Sequence, residues 1–479
     1  MAKQKQQGVI IKQGPQPWAI LQQVNGFSTI VLSGDWVTND NETNNLIQVY
    51  ARIVKEVDAE EVVPWTPCLM LKRNRWKTVL QKVPAGGLYR IETCLQVNEN
   101  QLLEWSLRGD MIHHIGIGDL WVIAGQSNAT GYGKGPVEDP PEMGIHLLRV
   151  NGQWDVASHP FNDSTSTLYV PSRERANPGH SPFLAFAKAV RRELHYPIGL
   201  IPAALGASPL KSWLPEEDGY LYRNMMKFIK AAGGQVKGVL WYQGCTDAFY
   251  HQQYCNDDPN GSPSYQERFT SLVSQWRKDL NDPYLPVLTV QLNRYTGARI
   301  LTDEDHEDWG RVREMQRRAA EEISNVYVTP SLDGLLSDEI HNSCATNLMI
   351  GRRLAAVALS EVYKLKRAHA APNIVSAFSS TSTESETTIC LSFENVHGEL
   401  SPLGPKERIF HVKDTVGEME ITNWVIKEKH KIMLTLPRQI VGDAVVHGCY
   451  RINPSPVIPV DTVTRLPLLA FYGVPVICN

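Results

Sequence analysis

The sequence predicts an α/β protein: a parallel sheet wound with helices, carrying an all-β region at either end. Three observations predict it. Buried-strand runs alternate with amphipathic segments from about residue 116 to 368, the pattern of right-handed β–α–β crossovers. Before about residue 115, short alternating strands run without a helix-period segment between them. After Ala371-Pro-Asn373 the helical period stops. The expected domains are therefore 1–115, 116–368 and 369–479, in a chain whose 479 residues exceed one compact core.

In the first region, Leu46 to Val54 alternates apolar and polar positions, as a half-buried strand does. Trp76 to Val83 and Leu88 to Leu95 are further strands, separated by the turn Pro84-Ala-Gly-Gly87. A β-sandwich is the architecture that buries one face of each. In the middle region the strands are 119–124, 198–204, 236–242, 286–292 and 325–329. Between them, Tyr265, Phe269, Leu272, Val273, Trp276 and Leu280 follow helical spacing behind Ser264 as N-cap. Pro182 to Leu194 and Cys344 to Tyr363 read as two more helices. Past the polar stretch Ser376 to Thr388, Ile389 to Phe393 and Lys431 to Leu436 predict a smaller β domain.

Composition excludes several classes. Hydrophobic residues are 42% and charged residues 20%, the balance of a folded globular chain. Net charge is −4 with no basic run, which gives nucleic acid or an anionic membrane no electrostatic purchase. No apolar run approaches the ~20 residues that span a bilayer. Met1 to Gly8 has no hydrophobic stretch behind it, so a cytoplasmic protein is expected, or a secreted one whose leader was removed. The eight cysteines (68, 94, 245, 255, 344, 390, 449 and 478) form no Cys-x-x-Cys pair, so free and mostly buried thiols are expected.

The most informative segment is Asp119-Leu-Trp-Val-Ile-Ala-Gly-Gln-Ser-Asn128, a buried strand running into a tight polar turn. Parallel sheets place ligand sites at strand carboxyl ends, which makes Ser127 a candidate nucleophile. An ordinary strand-to-loop turn has the same residues for conformational reasons. Three further segments share the form. Ile198 to Ser208 ends in a glycine turn where the Gly206 N–H can approach a ligand closely. Gly238 to Asp247 carries Gln243 at its mouth, and Asp333 to His341 sets Asp338 and His341 three residues apart before a helix. Singly, each is as well explained by a turn or a cap. Together they fall at the carboxyl ends of strands in one predicted sheet.

These residues carry a resemblance. Gly125-Gln-Ser-Asn128 with Gly131-Tyr-Gly133, then Trp241-Tyr-Gln-Gly244, then Asp338-x-x-His341, in that order, are similar to the SGNH-type hydrolases. Within these the chain most resembles the sialate O-acetylesterase and acetylxylan esterase group, of carbohydrate esterase family six type. The motifs cover about residues 116–368, and the flanking β domains are similar to those of longer bacterial members. The resemblance implies a three-layer α/β/α sandwich that removes O-acetyl groups from sugars such as sialic acid, xylan or mannan. It assigns Ser127 as nucleophile, His341 as base and Asp338 as its orienting partner. The implied oxyanion hole is the N–H of Ser127, the N–H of Gly206 and the side-chain amide of Gln243. Gln126, Asn128, Trp213, Trp241 and Asp247 are the candidates for substrate contact. Many relatives have Gly-Glu after the motif glutamine, where this chain has Gly244-Cys245, so Asp247 or a purely structural role is left for that position.

Acyl transfer of this kind implies no metal or organic cofactor. The run Asp303-Glu-Asp-His-Glu-Asp308 is expected as a solvated loop rather than a metal site. Trp154, Tyr169, Trp213 and Trp241 are placed near the motifs for stacking on sugar faces, and Arg173, Arg175 or Arg294 for a sugar carboxylate. Three roles stay open for the β domains: glycan binding, shaping the cleft, or building a homo-oligomer. The rival functions are a catalytically silent carbohydrate-binding protein and a short-chain esterase of non-sugar substrates.

Overall fold

The computed structural model describes residues 7–38, 47–98, 102–162, 167, 170–249, 262–299, 301–381 and 386–478. The first eight strands are β1 (Gly8–Gln13), β2 (Ile20–Gln22), β3 (Phe27–Val37), β4 (Gln48–Lys55), β5 (Glu61–Pro67), β6 (Leu69–Leu71), β7 (Arg75–Pro84) and β8 (Gly86–Gln96). One sheet has the order β1-β3-β7-β6, and β4 pairs with both β5 and β8 in another. Leu32, Trp76 and Leu80 of the first share a core with Val49, Ile53 and Ile91 of the second. The strands expected at 46–54, 76–83 and 88–95 are β4, β7 and β8, with Leu46 itself outside the described residues.

The next strand, β9 (Leu107–Gly125), is a single run of 19 residues. Its first part pairs antiparallel with β8, as Leu95 with Leu107 and Tyr89 with Ile115. Its last part, from Asp119, lies parallel between two strands of the central sheet. The expected boundary at 115/116 thus falls inside one continuous strand. A short helix follows, α1 (Ser127–Thr130), then β10 (Ile145–Leu148), β11 (Trp154–Val156), α2 (Phe183–Leu194), β12 (Ile198–Pro202), α3 (Tyr220–Ala231), β13 (Gly238–Tyr242), α4 (Tyr265–Asp279), β14 (Val287–Val290), α5 (Asp303–Glu322), β15 (Val326–Thr329) and α6 (Cys344–Val357). The central order is β11-β10-β12-β9-β13-β14-β15, parallel except for β11 at the edge.

Helices cover both faces, and register shows why. Trp121 pairs with Gly238 and Ala124 with Trp241, so Trp121 and Trp241 point to opposite faces of the sheet. Trp121 meets Phe186 of α2 at 5.2 Å, whereas Trp241 meets Phe269 and Trp276 of α4 at 5.9 and 5.4 Å. The result is the three-layer α/β/α sandwich.

Three details differ from the sequence reading. The acidic run 303–308 is no solvated loop but the first turns of α5. Thr302 caps it in a reciprocal capping box with Asp305, and acidic side chains there complement the helix dipole. Asp308 is fully buried, held by Arg311 and Ser262, both at 2.6 Å. Ser264 does precede α4, but its side chain makes no capping bond. The strands β10 and β11 and the helices α3 and α5 were not anticipated.

The C-terminal region forms an eight-stranded sheet in the order 418–419, 410–413, 445–448, 471–478, 373–381, 387–394, 431–436 and 423–427. It has its own core around Phe393, Phe410 and Phe471. Arg313 of α5 fastens it to the central domain. Its buried guanidinium donates to the carbonyls of Leu292 and Asn293 on one side, at 3.0 and 2.7 Å. On the other side it reaches those of Tyr450 and Arg451, at 3.0 and 2.6 Å. Gln291 adds a reciprocal pair with the backbone of Ala470, both bonds 2.9 Å. All seven described cysteines are free; Cys255 lies outside the described residues.

Arg313→Leu strips these buried carbonyls of their shared donor. It should cost at least about 3 kcal/mol of stability, read as a fall in the urea midpoint. Two buried histidines set a pH dependence. Desolvation pushes His146 down to about 4, and His447 to about 4 with the help of His411 and Lys413. The unfolded chain therefore binds more protons between about pH 6.5 and 4, and stability should fall as the pH is lowered across that window. His447→Gln should flatten the slope of the urea midpoint against pH by about one proton.

Candidate active site

The carboxyl end of β9 is fixed by contacts that no side chain could tolerate. Gly125 has φ +125°, and a Cβ there would lie 2.2 Å from the Tyr242 carbonyl oxygen. Gln126 N–H donates to that oxygen at 3.0 Å, and Leu205 N–H donates to the Gly125 carbonyl at 3.0 Å. The ends of β9 and β13 and the loop after β12 are thereby stitched together. Ser127 opens α1 at this junction and lines a cleft of about 1640 Å³.

His341 lines the same cleft. Its loop is closed by Ser337 N–H donating to the His341 carbonyl at 2.8 Å. The Asp338 carboxylate takes the N–H groups of Ile340 and His341 on Oδ1, at 2.9 and 2.8 Å, and pairs through Oδ2 with His341 Nδ1 at 2.7 Å. Desolvation works to raise the Asp338 pKa, but these hydrogen bonds outweigh it and hold the carboxyl below its ordinary value. With Nδ1 committed to Asp338, Nε2 is the ring nitrogen left to face the cleft. Tyr132 stacks on the imidazole at 4.8 Å and 22°.

Asn128 joins the serine turn to the histidine loop. Its side-chain oxygen accepts from Asn342 N–H at 3.0 Å and its amide donates to the Ile340 carbonyl at 3.2 Å. It is buried and serves the scaffold rather than a substrate. Gln126 also lines the cleft, but its side-chain oxygen accepts from Gly244 N–H at 2.9 Å and holds the first motif to the third.

Several expected contacts lie elsewhere. The Gln243 amide is fully buried and donates to the Ser208 carbonyl at 3.1 Å and to the Asp247 carboxylate. It does not line the cleft and gives no donor to an oxyanion there. Asp247 is buried too, accepting from Leu210 N–H at 3.1 Å, so it neither meets substrate nor stands in for the missing glutamate. Trp213 and Trp241 are core residues, packed edge to face at 5.2 Å. Trp154 is likewise buried, and Tyr169 lies outside the described residues. Arg294 donates to the Gly334 carbonyl at 2.9 Å, away from the cleft.

Arg173 and Arg175, two of the three arginines named from the sequence, do line the cleft, as does Tyr132 of the Gly131-Tyr-Gly133 motif. Tyr220, Phe249 and Arg299, which the sequence did not single out, add two aromatic walls and a third guanidinium group. Glu174 lines it as well, and its Oε2 accepts from Gly206 N–H at 2.9 Å. Cys245 is buried at the edge, its thiol pushed up to about 12 by desolvation and so kept protonated.

Residues 117–360 match the family model described as carbohydrate esterase, sialic acid-specific acetylesterase. The chain belongs to this family. Among relatives of this carbohydrate esterase, it is 29% identical over 263 residues to a probable carbohydrate esterase of Arabidopsis thaliana, spanning 50% of this chain and 90% of that one. It is 21% identical over 254 residues to a sialate O-acetylesterase of Homo sapiens, covering 43% of each. A solved carbohydrate acetylesterase from Xanthomonas citri superposes with a TM-score of 0.63 at 19% identity, over 96% of this chain and 99% of that one. The shared fold therefore includes both flanking β regions.

Asn128→Ala removes the acceptor of the Asn342 amide. That amide should exchange its hydrogen about tenfold faster or more, as one buried hydrogen bond of about 1.4 kcal/mol implies, measured by hydrogen-exchange mass spectrometry.

Proposed function

We propose that this carbohydrate O-acetylesterase works through an acyl-enzyme on Ser127, with His341 as general base and acid and Asp338 orienting it. A serine hydroxyl is a weak nucleophile until a base takes its proton. In this reading His341 Nε2 takes that proton as Ser127 Oγ attacks the acetyl carbonyl. The protonated imidazole then returns it to the departing sugar oxygen. Water, deprotonated in turn by His341, attacks the acetyl-enzyme and releases acetate. Asp338 stays ionised throughout and stabilises the imidazolium. The N–H groups of Ser127 and Gly206 are the oxyanion donors in this reading, without Gln243.

The observation that carries it is the meeting of Ser127 and the Asp338-paired His341 on one cleft at the carboxyl end of the sheet. The substrate is an acetylated sugar. The aromatic walls suit its ring faces, and Arg173, Arg175 and Arg299 favour one that carries a carboxylate, sialic acid above xylan or mannan.

Ser127→Ala should lower turnover of an acetyl-ester chromogenic substrate by about 10⁴-fold or more, and Asp338→Asn by about 10²- to 10⁴-fold. Undiminished turnover in the serine variant would sink the mechanism. Acetate release from acetylated sialic acid should exceed that from acetylated xylan at equal concentration. The reverse order would remove the role given to the arginines.

A further inference from the structure

Glu174 holds a position the mechanism above does not use. It is buried, while its neighbours Arg173, Arg175 and Ala176 are exposed. Its carboxylate collects three donors. Oε2 accepts from Gly206 N–H at 2.9 Å, Oε1 accepts from Arg175 N–H at 2.9 Å, and the Tyr132 hydroxyl also donates to it. A side-chain carboxylate is thereby built into the cleft that Ser127 also lines, on a backbone donor suited to a carbonyl oxygen. Chemically the group is the same as acetate, the product of deacetylation.

An N–H bound to a carboxylate cannot also receive a developing oxyanion. Two negative oxygens on one donor repel, and in a desolvated cleft that repulsion is screened less than in water. Glu174 must therefore leave Gly206 before the acetyl carbonyl can use it. The exposed guanidinium of Arg175, the next residue, lines the same cleft and offers a charge toward which the carboxylate can turn. Tyr132, its other partner, stacks on His341, so the departure is felt at the base as well.

We propose that Glu174 is an internal plug of the oxyanion site, a carboxylate that mimics bound acetate in the resting enzyme and is displaced by the acetyl group of the substrate. This deepens the serine-esterase reading and rests on it. The plug holds the acyl site closed to free acetate, limiting product inhibition, and yields to an ester whose sugar makes further contacts in the cleft. Substrates that lack the sugar must displace Glu174 through the acetyl group alone, so the plug also selects for carbohydrate esters over small esters.

The test is acetate binding, measured by titration calorimetry on the full chain, for the native protein, Glu174→Ala and the nearly isosteric Glu174→Gln. The alanine variant should bind acetate at least tenfold more tightly than the native protein. The glutamine variant, which keeps an acceptor for Gly206 but loses the charge, should fall between them. In parallel, the KM for a small chromogenic acetyl ester should fall in both variants. Loss of the charge alone would tighten acetate binding equally in both variants, so tighter binding by alanine than by glutamine is what marks the plug. Unchanged or weaker binding in both variants, with their thermal unfolding temperatures near the native value, would overturn the plug. Because calorimetry reads binding without turnover, failure of the plug is separate from failure of the esterase mechanism, which Ser127→Ala decides.

Discussion

The structure depends on one strand serving two sheets. β9 leaves the N-terminal sandwich as the antiparallel partner of β8 and enters the central sheet between β12 and β13 without a break in its 19 residues. The passage is sterically narrow. A Cβ on Gly118 would lie 1.8 Å from the Pro197 carbonyl oxygen, so the crossing point admits no side chain. Backbone hydrogen bonds then carry the strand rigidly to Gly125, where Ser127 begins. The position of Ser127 is therefore set by two sheets at once, and the N-terminal β region is part of the same hydrophobic core as the α/β domain. That coupling gives the β region a structural reason to be present, independent of any glycan it binds.

The second constraint acts across the cleft. Ser127 and His341 are 214 positions apart in sequence, and nothing local aligns their loops. Asn128 does so through two hydrogen bonds to the 340–342 backbone, made by a buried side chain that water does not compete for. Asp338 then fixes the ring with one carboxylate oxygen and the loop backbone with the other. Orientation and loop shape are one event, because each carboxylate oxygen has its own task.

Much of this was legible in the sequence where the information is local. The run Leu120 to Ala124 is apolar throughout because a central parallel strand is covered on both faces, and the turn after it is forced by Gly125. Asp338 and His341 could be paired because three residues place both on one short loop. What failed depended on which way side chains point. Trp213, Trp241, Gln243 and Asp247 sit next to motif positions, yet all four turn into the core under α4 and the loop after β12. β10 spans only Ile145 to Leu148, too short for periodicity to register, and the acidic start of α5 hid a helix whose buried carboxylates are matched by a cap and an arginine. Tyr132 stood in the Gly131-Tyr-Gly133 motif without an assigned role and Glu174 in no motif; only the folded chain brings them to His341 and Gly206.

The presence of Cys245 after Gly244 then has an electrostatic meaning. Burial keeps the Cys245 thiol neutral, and the Asp247 carboxylate is consumed by Leu210 and Gln243 behind the wall. Among the described residues that line the cleft, this leaves Glu174 as the single carboxylate, facing three arginines and His341. A site whose chemistry develops negative charge gains from the absence of fixed negative charge near the reacting carbonyl. The one exception, Glu174, sits on the Gly206 N–H that the proposed mechanism gives to the oxyanion. On the proposal above, Glu174 opposes an oxyanion while its carboxylate accepts from Gly206, and it stops competing for that donor once it is displaced.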